Sequence, residues 1–93
     1  MTLHWTLLAT DHLRAAYEYV ARDSIAAADR LLQRIVSATE ILEKYPNIGR
    51  TGRADRTREL VIAGTPFIVV YRITEEIQVL AVFHASRRWP EGF

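Results

Sequence analysis

Apolar and polar residues follow two different rhythms along this 93-residue chain. Up to about Tyr45 the apolar positions recur every three or four residues; beyond Arg58 they come in short runs parted by glycine, proline or acids. LHWTLL (3–8) is short and mixed and predicts a first strand. Thr10 or Asp11 then caps a helix in which Leu13, Ala16, Tyr17 and Val20 follow the i, i+3, i+4, i+7 rule. Arg14, Glu18 and Arg22 lie four apart on another face and form a solvated ladder. Asp23 or Ser24 starts a second, longer helix, SIAAADRLLQRIVSATEILEKY. Its apolar stripe is Ile25, Ala28, Leu32, Ile35, Thr39 and Leu42, widened by Leu31, Ala38 and Tyr45. So short a connection makes the two helices an antiparallel hairpin, and Pro46 ends it.

PNIGRTGRADRTR (46–58) reads as a loop. Three apolar runs follow: RELVIAG (58–64), PFIVVYRI (66–73) and EIQVLAVFH (76–84). Their Val and Ile content and short spacers fit hairpins, hence an antiparallel meander. The order β-α-α-β-β-β implies one α+β domain over residues 1–93, a helical hairpin packed on one face of a curved, mainly antiparallel sheet. In the last run Ile77, Val79, Ala81 and Phe83 alternate with Gln78, Leu80, Val82 and His84. The face turned from the helices would then carry Leu80, Val82, Ile68 and Val70, too apolar to stand in water. A partner covering them is the expectation; strong sheet curvature that tucks them inside is the rival reading.

Composition narrows the chemistry. The absence of cysteine removes disulfides, thiol catalysis and cysteine-based zinc sites, and suits a reducing cytosol. The start, MTLHWTLLATDHLR, lacks the basic opening and apolar run of a signal peptide. No stretch reaches the ~18 apolar residues of a membrane helix, so a cytoplasmic location is expected. His4, His12 and His84 are scattered without ligand spacing, so neither a metal nor another cofactor is expected. GRTGRADRT has neither the spacing nor the lysine of a phosphate-binding P-loop. The net charge of +1 hides an asymmetry: residues 1–43 balance at −2 and residues 44–93 at +3. A basic half suits an acidic partner, and eleven of the twelve basic residues are arginine, the better bidentate partner of phosphate and carboxylate.

One constellation of polar residues remains. Arg58 opens the 58–64 run, Tyr71 and Arg72 close the next, and His84 with Arg87 and Arg88 closes the last. Histidine, tyrosine and arginine could supply the base, the proton donor and the cations of metal-free RNA cleavage. Each also has a plainer reading: His84 a strand-end residue, Arg72 a solvated or paired arginine, Tyr71 core. In a meander Tyr71 and Arg72 lie far from His84, so a single site does not follow from the order. Trp89, beside Pro90, fits equally a cap on the core and a partner contact.

At these residues the sequence resembles the RelE/ParE superfamily of type II toxin–antitoxin toxins. The blocks that carry the resemblance are AYEYVARDSIAAADRLLQRIVSATEIL, YPNIGRTGR, RELVIAGTPFIVVYRI and IQVLAVFHASRRWP, with its H-x-x-R-x-W-P tail. The resemblance implies the same β-α-α-β-β-β fold and a small, often acidic antitoxin that wraps the toxin, covers its apolar face and meets its basic half. RelE-like members cleave mRNA on the ribosome; ParE-like members trap DNA gyrase on broken DNA. The ribonuclease branch carries an arginine early in a Y-R-L-V-Y-like strand, and here Ile68 stands in its place. Lysines of the preceding strand are also missing, leaving Arg58. Arg87 matches a tail arginine of that branch, and His84 a histidine that some RNA-cutting relatives use.

Arg58-Glu59-Leu60 and the run Val79 to His84 instead fit the R-x-L and V-L-x-V…H patterns of ParE-like chains, and the balance favours that branch. Two readings stay open. One is a gyrase-poisoning binder whose target or antitoxin contacts lie among Arg58, Tyr71, Arg72, Leu80, Val82, His84, Arg87, Arg88 and Trp89. The other is a ribosome-dependent endoribonuclease working with His84, Arg87 and Arg58. A degenerate toxin that only binds its antitoxin is a third, blander outcome.

Overall fold

The computed structural model describes residues 1–87. Seven elements follow in chain order: β1 (Leu3–Trp5), α1 (Leu7–Ala21), α2 (Ile25–Ile41), β2 (Arg50–Thr51), β3 (Arg58–Val61), β4 (Phe67–Ile73) and β5 (Ile77–His84). The expected hairpin of helices and the three closing strands are present. β2 is an addition, two residues inside the stretch expected to be loop.

The first helix starts earlier than its apolar rhythm suggests. Thr6, in extended conformation, caps α1 by accepting the Ala9 N–H at 3.2 Å. Leu7, Leu8 and Ala9 are therefore a first helical turn and not the end of a strand. Thr10, one of the two expected caps, instead donates its hydroxyl back to the Thr6 carbonyl (3.0 Å). Ser24 caps α2 as expected, accepting from the Ala27 N–H at 3.1 Å. α2 stops at Ile41, short of Tyr45. Ala28, Leu31, Ile35, Thr39 and Leu42 form its buried stripe, while Ile25 and Tyr45, the expected ends of that stripe, are exposed. On α1 the expected charge ladder gives way to one exposed Arg14–Asp11 pair.

The sheet runs β1-β5-β4-β3-β2, with β1 parallel to β5 and every other neighbour antiparallel. The hairpin lies on one face, where Ala9, Ala16, Leu31 and Ile35 meet Phe67, Val69, Val79 and Val82. Each of the larger side chains here, Leu, Ile, Val or Phe, contributes roughly 1.5–3 kcal/mol when fully removed from water. Leu42, Tyr71 and Ile77 form a separate cluster at one end of the sheet.

A bulge breaks the expected alternation. Val70 pairs with Ala81 but Tyr71 pairs with Val79, so Leu80 has no partner across the strand pair. Val79 and Val82, of opposite parity, therefore both face the helices, whereas Ala81 and Phe83 join Ile68 and Val70 on the second face. The four residues expected to await a partner, Leu80, Val82, Ile68 and Val70, are at most 6% exposed within this chain alone. The chain covers them itself: Val82 turns to the helices, and Ile68 and Val70 pack with Ala81 and Phe83. Among the described residues no helix is long and apolar enough to cross a membrane.

Candidate functional site

The polar residues singled out from the sequence fall at two ends of the sheet. Arg58, Tyr71 and Val79 lie in register across three strands at one end. His84 stands opposite Phe67 at the other. Val79 and His84 are five residues apart on β5, about 15 Å at ordinary strand rise with one bulge. Arg58 therefore does not converge with His84 and Arg87 into one phosphodiester site.

At the first end the side chains are spent on the protein itself. Tyr71 is fully buried; its hydroxyl donates to the Pro46 carbonyl (2.7 Å) and accepts from the Gly49 N–H (2.9 Å). Burial pushes its phenol above the ordinary value, against the Gly49 N–H and the Arg58 charge, which favour the anion. Arg58 donates to the carbonyls of Gly49 (2.8 Å) and Asn47 (3.3 Å). Together they clamp the chain between α2 and β2, and Gly49 is glycine because a Cβ there would sit 2.5 Å from the Tyr71 hydroxyl.

Beside the clamp, Glu59 is only 2% exposed and accepts from Arg50 (3.0 Å) and from the Arg53 N–H (2.8 Å), with the Arg53 guanidinium at 3.5 Å. Burial alone would raise its carboxyl; these donors and charges outweigh it and hold the group below its ordinary range. Arg53 also lies over the Phe83 ring at 5.0 Å. Arg72 is exposed and bonds Gln78 across the strand pair.

Leu80 and Val82 are buried, as Tyr71 is, so none of the three offers its side chain to a partner while the fold is intact. Arg88 and Trp89 lie outside the described residues. Ile68, at the place of the ribonuclease arginine, is 6% exposed in the apolar cluster with Val70, Ala81 and Phe83.

The His84 end is open. Its imidazole meets the Phe67 ring edge-on at 5.4 Å. Its Nδ1 accepts the Ser86 N–H (3.2 Å) and lies 2.8 Å from the Ser86 hydroxyl. The tautomer that fits these donors keeps its proton on Nε2, leaving a donor and not a base directed away from Ser86. Arg87 donates its N–H to the His84 carbonyl (2.9 Å), and its guanidinium lies 4.7 Å from the centre of the Tyr19 ring. Arg22 approaches the same ring at 5.9 Å.

Two residues of this region were not singled out from the sequence. Tyr19, 54% exposed, sits off the apolar stripe of α1, and an aromatic on a charged helix face was the available signal. His12, on α1, accepts the Val82 N–H on its Nδ1 at 3.2 Å, just past the end of β1. Burial lowers its imidazole below the ordinary value, with Asp11 opposing. Among the described residues no group of three acidic or histidine side chains is placed to hold a metal ion.

Comparison with known proteins agrees over nearly the whole chain. Residues 3–89 match the family described as ParE toxin of type II toxin–antitoxin system, parDE. The Y4kP protein of Sinorhizobium fredii, named provisionally as a toxin, is 42% identical over 89 residues, 96% of this chain and 93% of that protein. Toxin RelE2 of Caulobacter vibrioides is 32% identical over 84 residues, 89% of this chain and 93% of that one. Among solved structures, the chromosomal ParDE toxin–antitoxin system from P. aeruginosa superposes with a TM-score of 0.81 at 30% identity, covering 90% of this chain and 95% of the other.

Proposed function

The chain belongs to the ParE toxin family of type II toxin–antitoxin systems, and on that premise we propose that it arrests growth by docking on DNA gyrase, without bond chemistry of its own, and that a cognate antitoxin holds it silent. The observation that carries the reading is the dispersal of the ribonuclease set. Arg58 is engaged by backbone carbonyls at the closed end, and Ile68 is packed among apolar side chains where the cleaving relatives place a cation. A metal-free phosphodiester cleavage needs base, acid and phosphate cations converging on one scissile phosphate, and Arg58 stands at the opposite end of the sheet from His84. A binder needs only an exposed, unspent surface, and the His84 end supplies one. Docking on gyrase also makes the chain cytoplasmic.

One observation speaks for the RelE-like alternative, cleavage of mRNA on the ribosome: His84 and Arg87 are adjacent at the open end. Supercoiling and cleavage assays with purified toxin and gyrase, with and without ATP, separate the two. The expected result is linear DNA covalently linked to gyrase. Intact gyrase activity together with cut mRNA on ribosomes overturns the reading and makes His84 the residue to substitute first.

A further inference from the structure

At the open end the helical hairpin and the strand ends do not close on each other. They leave a cleft of about 350 Å³ whose floor includes Val20, Leu31 and Phe67 and whose rim includes Arg30, Arg34 and Gly64. A second cleft of about 210 Å³ shares Tyr19, Phe67 and His84 with the first and extends to Arg87. The first is at the small end of the ~300–1,000 Å³ range of ligand pockets, room for one or two side chains.

The cations around this double cleft are unspent. Arg22, Arg30, Arg34 and Arg87 are all exposed, and among the described residues none of them forms an ion pair. Asp29, the acid next to Arg30 in sequence, is held by the Tyr17 hydroxyl (2.7 Å) and lines a separate groove between the helices. Arg34 is ordered in advance: it donates to the Ala63 carbonyl at 3.1 Å, and the left-handed Gly64 (φ 77°) lies beneath its guanidinium, where a Cβ would collide. The rest of its planar fork is free to meet a carboxylate, with little ordering left to do.

We propose that this double cleft seats an acidic segment of the antitoxin, with one bulky apolar side chain set among Val20, Leu31 and Phe67 and carboxylates against Arg30, Arg34 and Arg87; the proposal rests on the toxin–antitoxin reading. Charge complementarity selects the occupant. The rim is cationic and asks for an anion, while the floor is apolar and asks for a hydrocarbon, a combination that an acidic peptide with an apolar anchor satisfies. A nucleic acid offers phosphates to the rim but nothing aliphatic to the floor, and the exposed Tyr19 ring is already approached by Arg87 and Arg22.

The test titrates purified toxin with its cognate antitoxin and compares three variants. Ala27→Trp fills the first cleft, whose wall includes Ala27. Arg30→Glu with Arg34→Glu reverses its rim. Lys44→Glu reverses an exposed charge just past α2, outside both clefts, as the control. The first two are expected to weaken binding about tenfold or more, the control by less than about threefold, and added salt to weaken the wild-type complex.

Thermal melts establish that each variant is folded. Should Ala27→Trp fail to fold, the surface charge reversal decides alone. Wild-type affinity in the charge-reversed variant overturns the proposal and leaves the toxin–antitoxin reading intact. Intact antitoxin binding with lost gyrase trapping in the same variant also overturns it, and makes the cleft a target-docking surface. No binding of the antitoxin to wild-type toxin overturns both.

Discussion

The two ends of the sheet are built from the same kinds of residue, a tyrosine among arginines, and behave oppositely. At one end Tyr71 is fully buried, and Arg58, Arg50 and Arg53 are drawn onto backbone carbonyls and the Glu59 carboxylate. At the other, Tyr19 is half exposed and Arg22, Arg30, Arg34 and Arg87 stand without ion pairs among the described residues. The difference is not in the cations but in the acceptors. One buried acid and a loop with turned-in carbonyls convert arginine from a recognition group into scaffold. Where the fold supplies no carboxylate, and to Arg34 a single carbonyl, the same side chains keep donors available for another molecule.

The largest expected effect breaks the closed end sterically. Gly49→Val places carbon into the Tyr71 hydroxyl and ring and should destabilise the protein by about 2–4 kcal/mol, a fall in melting temperature of about 10 °C or more. A melt within about 2 °C of wild type would show that the clamp is not what closes this end. Glu59→Gln comes next, at about 1–3 kcal/mol.

Glu59 also carries a pH signature. Because its folded-state carboxyl lies below the ordinary 4.5, the unfolded chain takes up the proton first as pH drops. The stabilisation is full above about pH 4.5 and is lost as pH falls through the lower folded value. Chemical-denaturation midpoints between pH 6 and 3 should steepen for wild type and flatten for Glu59→Gln.

A smaller effect comes from His12, whose imidazole is held below its ordinary 6.5. Protonation again favours the unfolded chain, so stability should decline gently from neutral pH toward pH 5 as the bond from the Val82 N–H is lost. His12→Gln should remove that slope, and an unchanged slope would assign it elsewhere. The smallest effect on stability belongs to the open end. Arg87→Ala with Arg88→Ala should stay within about 0.5 kcal/mol of wild type yet reduce growth inhibition at equal expression. Undiminished toxicity would erase the functional contrast between the two ends.

How much of this was legible in the sequence differs by element. The α2 stripe was, because Ala28, Ile35, Thr39 and Leu42 keep helical spacing and Ser24, one of the two caps the sequence offers, starts the helix. The start of α1 was not, because Leu7 is apolar yet 86% exposed and made the first turn look like a strand. β2 is two residues long and too short to show a period. The bulge at Leu80 was hidden because both parities of β5 are apolar there, so a one-residue slip leaves no mark in the pattern. His84 and Arg87 were legible as the edge of the molecule. Arg30 and Arg34 were not, since on a helix face they look like any solvated charge until the strand ends are brought beside them.

The slip at Leu80 also divides β5 into two independently read halves. Residues 77–79 answer to the parallel pairing with β1, and residues 82–84 to the mouth of the clefts. A mutational scan of this strand should therefore yield two alternating tolerance profiles offset by one position, with a seam at Leu80. Over generations His84, half-buried at the mouth, can change with the partner while Val82 and Phe83 stay committed to the core and residues 77–79 keep the register, which gives so small a toxin room to change whom it binds without relearning how to fold.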